Sequence, residues 1–199
     1  YRTVAREPIR GQYRGHEIVG PPPPSPGGIH LVQVLNVLEG YHVAGLGYGT
    51  ADYFHLIAEV LKIGFADRNA CTGDPAFVDI PVDRLISTDH AAARRAQIRP
   101  DRAGEYGPVP GVTAGSAHTT HVTTADALGN VVAMTQTINN LFGAKATVPG
   151  TGIILNNTMA LFDPHAGTPA SVAPGKRVTS SMAPTIVLRV GRRAGGAGR

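Results

Sequence analysis

The sequence predicts an α+β fold in which helices come first and strands follow. Three observations carry this. Residues 29–39 and 51–67 place apolar side chains around most of a helical circumference, each with one narrow polar stripe. Residues 99–118 are rich in Gly, Pro and Ser and have no periodicity, which reads as a linker. From Thr119 the residues turn β-branched, small and alternating, a pattern that suits strands. Segregated helices and strands suggest a layered arrangement. Residues 1–118 form its helical portion and 119–189 its β-rich portion, with an atypical tail over 190–199. No internal repeat is visible.

Residues 1–28 read as loop-rich and close on Pro21-Pro22-Pro23-Pro24-Ser25-Pro26-Gly27-Gly28. The prolines end an extended segment, and the glycine pair permits an abrupt turn into a helix. A polyproline ligand is the other reading of such a run. The first helix carries His30, Gln33 and Asn36 on its stripe. The second carries Asp52, His55, Glu59 and Lys62, with Thr50 or Asp52 as its cap. On these stripes His30 and His55 are expected to face solvent or a partner surface rather than a metal. Gly45-Leu46-Gly47-Tyr48-Gly49 connects the two helices; its glycine spacing and surroundings do not fit a dinucleotide fingerprint. Gly73-Asp74-Pro75 predicts a turn, and residues 88–98 a short Ala/Arg helix. Thr119 to Asp126 and Val131 to Ile138, joined at Leu128-Gly129-Asn130, predict strand, turn, strand. Residues 152–155 and 183–188 are further strand candidates.

Composition narrows the function. The chain has 199 residues, of which 42% are hydrophobic, too many for wholesale disorder. A single cysteine, Cys71, excludes an intrachain disulfide framework and a thiolate-based structural zinc site. No metal and no cofactor are expected. No apolar run approaches the roughly 20 residues of a membrane helix, and the opening residues show no signal-peptide pattern. The chain begins at Tyr1 within ordinary folded sequence and is expected to be a piece of a longer protein. Its net charge of +4 is uneven: residues 1–118 sum to −1 and 119–199 to +5. The positive residues are scattered, and Arg192, Arg193 and Arg199 sit in the tail, so no nucleic-acid partner is expected. G-x-S-x-G, H-E-x-x-H and P-loop motifs are absent.

What remains is the junction where the linker runs into His118-Thr119-Thr120-His121. By spacing alone Thr119 reads as a β-branched residue opening a strand, and Thr137 as a cross-strand neighbour. The junction, however, resembles the γ-glutamyltransferase family of N-terminal-nucleophile hydrolases. The resemblance holds in order and spacing from about Tyr1 to Leu188. It runs through the Pro21–Gly28 segment, Gln33-Val34-Leu35-Asn36-Val37-Leu38-Glu39-Gly40, Phe65-Ala66-Asp67-Arg68 and Gly73-Asp74-Pro75-Ala76-Phe77-Val78. It continues through Thr119-Thr120-His121, Asn156-Asn157, Ala173-Pro174-Gly175-Lys176-Arg177 and Ser180-Ser181-Met182-Ala183-Pro184-Thr185.

The resemblance implies an αββα sandwich, of which this chain holds the end of a large subunit and the start of a small one. It implies a precursor that cleaves itself between His118 and Thr119. The freed Thr119 would carry both a hydroxyl and an α-amine. Such an amine has a pKa of roughly 7.7–8.0, so it can act as base for its own hydroxyl. The hydroxyl attacks an amide carbonyl, and water or an acceptor amine resolves the acyl-enzyme. By position, the resemblance makes Thr137 the hydrogen-bond partner of the nucleophile and Asn139 a contact to the substrate's amino-acid head. Ser180 and Ser181 would grip an α-carboxylate through hydroxyl donors, and Asn156 and Asn157 would hold backbone near the site. It also implies that the two cleavage products stay associated. Export to the periplasm or beyond is implied too, while the residues leave the cytoplasm open.

The sequence departs from this family in three respects. Thr158 and Leu161 stand where γ-glutamyl enzymes carry Gln and an acidic residue to grip the substrate ammonium. A buried ammonium without an anionic partner is costly. An acylase or amidohydrolase branch acting on other amides is therefore expected, and Phe162-Asp163-Pro164 resembles that branch. The large-subunit portion that supplies a carboxylate-binding arginine is not within the chain. The Pro-Gly-Gly oxyanion loop is also missing; Gly195-Gly196 follows Ser181 too closely to replace it, and residues 190–199 read as an off-frame translation. The expectation is a fragment of a self-processing amide hydrolase or acyltransferase, inactive when isolated. The alternative is a catalytically inactive remnant or scaffold of the same family.

Overall fold

The computed structural model describes residues 3–107 and 118–189. The tail over 190–199 and the linker residues 108–117 lie outside the described residues.

The chain opens on a β-hairpin, which corrects the loop-rich reading of residues 1–28. Ile9–Tyr13 (β1) pairs antiparallel with His16–Gly20 (β2). Only Arg14 and Gly15 connect them, and both are left-handed, with φ of 48° and 79°. That is the backbone a two-residue type I′ turn requires. The register Gly11↔Ile18 puts Ile9, Gly11 and Ile18 on one face. Helix α1 (Gly27–Glu39) lies against that face. The approach is close at Gly11, where a Cβ would come within 2.5 Å of Val32.

Ile9, Ile18, Ile29, Val32 and Leu85 form one buried cluster. Leu85 is delivered by the single turn α3 (Val82–Leu85). Val37, Leu38, Leu56, Val60 and Ala91 form a second cluster, where α1 meets α2 (Ala51–Cys71) and α4 (Thr88–Arg95). Thr50 caps α2 by accepting from the Tyr53 N–H at 3.2 Å, and Ser87 caps α4 by accepting from His90 N–H at 3.1 Å. Each satisfies a donor that the first turn of a helix leaves unpaired.

The polar stripes point partly inward, although Asp52 and Lys62 stay exposed. Gln33 and Glu59 are each 2% exposed. The Asp67 carboxylate accepts from Gln33, from His90 Nε2 at 2.8 Å and from the Arg94 guanidinium. Burial acts to raise the Asp67 pKa, but these donors outweigh it and hold the carboxyl below its usual range. Glu59 accepts from Lys62, from the Gly104 N–H and from the Tyr106 hydroxyl.

His30 corrects the expectation of a solvent-facing stripe most sharply. Its Nε2 is buried without a hydrogen-bond partner among the described residues. The ring meets Phe65 edge-on with centroids 4.7 Å apart. Burial, and secondarily the Arg68 charge, push its pKa down to about 4. Gly64 is what lets the ring in, since a Cβ there would lie 2.7 Å from Nε2. The other stripe histidine, His55, is half-buried with Nε2 2.7 Å from the Arg99 carbonyl.

Beyond the junction, Thr119–Ala125 (β3) and Val131–Thr137 (β4) form a separate two-stranded antiparallel sheet. Asp126 organises its turn by accepting from the N–H groups of Leu128 and Asn130 and from the Asn130 side chain. Of residues 183–188 only the end is strand. Ile186–Arg189 (β5) pairs with β2 to complete the order β1-β2-β5. Pro184, which has no N–H to donate, lies ahead of the ladder. Residues 152–155 are corrected to a lone bridge, Thr147↔Ile154, flanked by left-handed Gly150 and Gly152. No helix among the described residues is long and apolar enough to cross a membrane.

The β2–β5 pairing joins residues from before His118–Thr119 to residues after it. One sheet therefore contains chain from both sides of the junction.

Candidate active site

Thr119 opens β3 directly opposite Thr137, the last residue of β4. The ladder runs in unbroken register from Ala125↔Val131 to Thr119↔Thr137, and a slip of one residue would turn the two threonines to opposite faces. Thr119 Oγ1 donates to Thr137 Oγ1 at 3.2 Å. Thr137 Oγ1 in turn donates to the His118 carbonyl at 3.3 Å and accepts from the Asn139 N–H at 2.9 Å. A single hydroxyl thus links Thr119 to the carbonyl of the peptide bond preceding it. On the same face, His121 bridges Thr135 and Thr123 through its two ring nitrogens at 2.7 and 3.0 Å.

Asn139 lies two residues past Thr137, 7% exposed and left-handed with φ 75°. Asn tolerates this region better than most residues. Its Nδ2 donates to Asn157 Oδ1 at 3.1 Å, and the same oxygen accepts from the Asn140 N–H at 3.0 Å. The Asn157 N–H closes the link by donating to the Ile138 carbonyl at 3.2 Å. His118, Thr119, Thr137, Asn139 and Asn157 are thereby brought together. Asn156 is turned onto its own segment, where Oδ1 accepts from the Thr158 N–H at 3.0 Å and from the Thr158 hydroxyl. Thr158 and Leu161 bound the one-turn 3-10 helix that comes next.

Ser180 and Ser181 lie in the extended segment ahead of β5 and are held by residues from before the junction. Ser25 Oγ donates to the Met182 carbonyl at 2.7 Å, with the Ser180 carbonyl a second acceptor at 3.2 Å. Ser180 Oγ accepts from the Met182 N–H at 3.2 Å, and Ser181 Oγ accepts from Arg68 Nη2 at 3.0 Å. Upstream, the fully buried Asp74 accepts from the Arg177 N–H at 2.8 Å and the Ala76 N–H at 3.2 Å.

Sequence reasoning assigned no site role to Ser25, Arg68 or Asp74. Each belongs to a segment that carried the family resemblance: the proline-rich run, Phe65-Ala66-Asp67-Arg68 and Gly73-Asp74-Pro75. Among the described residues no group of three His, Cys, Asp or Glu could hold a metal ion.

The chain as a whole is similar to known proteins. The sequence pattern of the gamma-glutamyltranspeptidase family fits residues 1–198. The acylase ACY 1 proenzyme of Pseudomonas sp. (strain SE83) is 58% identical over 195 residues, which is 98% of this chain and 35% of that protein. The glutathione hydrolase proenzyme of Escherichia coli (strain K12) is 40% identical over 205 residues, covering 96% of this chain and 35% of that protein. Among solved structures, cephalosporin acylase from Bacillus halodurans superposes with a TM-score of 0.77 at 27% identity, over 95% of this chain and 33% of that one. The chain spans about a third of the length of these curated relatives.

Proposed function

The chain belongs to the gamma-glutamyltranspeptidase family, and from that premise we propose that it spans the self-cleavage junction of an amide hydrolase or acyltransferase whose nucleophile is Thr119. The observation that carries this reading is the hydrogen-bond chain from Thr119 Oγ1 through Thr137 Oγ1 to the His118 carbonyl.

In self-cleavage, Thr119 Oγ1 attacks the His118 carbonyl carbon and loses its proton. The C–N bond breaks, and the departing nitrogen takes up a proton. Water then hydrolyses the resulting ester, leaving a carboxylate on His118 and a free α-amine and hydroxyl on Thr119. Thr137 Oγ1–H, 3.3 Å from the His118 oxygen, faces the atom on which negative charge develops. A donor in that role is worth about 10²–10³ in rate. In turnover, the Thr119 α-amine takes the hydroxyl proton as the oxygen attacks an amide, then passes it to the leaving amine. Water or an acceptor amine releases the acyl group by the reverse transfer.

Asn139, Ser180 and Ser181 are the substrate-binding residues in this reading, and Asn156 and Asn157 support the turn beside the nucleophile. The two products remain associated through β2–β5, through Ser25 on Met182 and through Asp74 on Arg177, all of which span the junction. Two observations favour acyl amides over γ-glutamyl compounds. Thr158 and Leu161 offer an ammonium no anion. Identity is also higher to an acylase proenzyme, 58%, than to a glutathione hydrolase proenzyme, 40%.

The test compares hydrolysis of γ-glutamyl-p-nitroanilide with a panel of acyl amides by the full-length protein. Turnover of acyl amides that vanishes in Thr119→Ala is expected. Efficient γ-glutamyl turnover contradicts the acylase assignment, and no turnover of any amide favours a catalytically inactive remnant.

A further inference from the structure

Arg68 is the least expected charge in the helical half. It lies on the last turn of α2, half-buried, with its guanidinium 5.5 Å from the centre of the Phe65 ring. Among the described residues it pairs with no carboxylate, although Asp67 next to it is bound by Arg94 and His90. The neighbouring titratable side chain, His30, is held neutral and offers no countercharge. A partly desolvated guanidinium without an anion is costly unless something else uses it.

Among the described residues its one side-chain hydrogen bond is to Ser181 Oγ, at 3.0 Å and 113 residues away in sequence. The direction of that bond matters. Arg can only donate, so Ser181 Oγ is the acceptor and its own hydrogen must point elsewhere. The same holds at Ser180, whose Oγ accepts from the Met182 N–H. Neither serine side chain donates to another described residue. Two adjacent hydroxyls, each with a lone pair occupied, keep a hydrogen that no described residue accepts, on a backbone held by Ser25. Paired O–H donors backed by a positive charge suit a carboxylate.

We propose that Arg68 is a positioning residue that fixes the Ser181 hydroxyl as a donor to a carboxylate on the substrate's acyl group. This rests on the reading of Ser180 and Ser181 as substrate-binding residues. The guanidinium acts through Ser181 and supplies the positive potential behind it. An uncharged acyl group gains nothing from Arg68.

The test measures binding to the full-length protein by calorimetry, with pentanedioate and uncharged pentanamide as probes. Arg68→Met is expected to weaken pentanedioate about tenfold, the scale of one hydrogen bond to a charged group, and to leave pentanamide unchanged. Arg68→Lys keeps the charge without the fork and restores part of the loss. Adding Arg68→Met to Ser181→Ala costs less than Arg68→Met costs alone, because the two side chains act together. Should Arg68→Met fail to fold, Arg68→Lys and Ser181→Ala supply the same comparison. Unchanged pentanedioate affinity, equal weakening of both probes, full additivity with Ser181→Ala, or no pentanedioate binding to the wild type would each overturn the assignment. Cleavage at His118–Thr119 is read separately by mass spectrometry. Its absence in wild type with a selective loss in Arg68→Met contradicts the nucleophile reading and leaves the role of Arg68 standing.

Discussion

The helical half and the β3–β4 sheet obtain their geometry by opposite means. Around α1, α2 and α4 position follows from burial: Val37 is 0% exposed, Val60 1% and Ile63 1%, and even the polar Gln33 and Glu59 are enclosed. Within this chain, by contrast, every residue of β3 is uncovered, and on β4 apolar side chains such as Val132 (60% exposed) and Met134 (47%) have no cover among the described residues. What positions Thr119 is the register of one ladder and a few hydroxyl and amide contacts. β3 and β4 thus take their local geometry within this chain from hydrogen bonds, and the first half takes its geometry from packing. Ser25, Arg68 and Asp74 tie the first half to the segment ahead of β5.

This contrast predicts that stability and chemistry respond to different residues. The largest stability effect is expected at Asp67. Asp67→Ala strands the Arg94 guanidinium in a site where Asp67 itself is 4% exposed. Removing one partner of a buried pair costs about 3–5 kcal/mol, to be read from the urea midpoint. Thr137→Val should do the reverse. Unfolding shifts by about 1 kcal/mol or less, while self-cleavage slows by about 10²–10³ as the donor to the His118 carbonyl is lost. Equal effects of the two variants on cleavage would erase the contrast.

A weaker, graded effect is expected with pH. The His30 pKa, about 4 in the folded chain, lies below its ordinary 6.5. The unfolded chain therefore binds this proton more readily. The contribution is complete above about 6.5 and is lost as pH falls from there towards 4. His30→Leu should flatten the fall in Tm across that window and leave its high-pH limb alone. The smallest effect belongs to the α2 cap: Thr50→Ala removes the acceptor for the Tyr53 N–H and costs about 1 kcal/mol, with no change in cleavage.

Local pattern made much of this legible. The two long helices, the Thr50 cap and the strand–turn–strand beyond the junction follow from spacing within about a dozen residues. The β1–β2 hairpin escaped because its strands are five residues each and its turn, Arg14-Gly15, lacks the usual Asn or Asp. The inward stripes escaped for a different reason. Asp67 finds Gln33, His90 and Arg94 at sequence separations of 34, 23 and 27 residues, which no periodicity displays. A polar residue on a helix reads as solvent-facing until its distant partner is known. The same applies at the site. The family resemblance proposes roles for Thr119 and Thr137, whereas the contacts of Ser25 with Met182 and of Arg68 with Ser181 span 157 and 113 residues.

The central claim is that Thr119 becomes an N-terminus. Intact-mass measurement of the purified full-length protein, with N-terminal sequencing of the fragments, tests it most directly. The account predicts two co-purifying products, one ending at His118 and one beginning at Thr119, and a single uncut chain in Thr119→Ala. A wild-type protein that stays uncut, or one cut equally in Thr119→Ala, would contradict it.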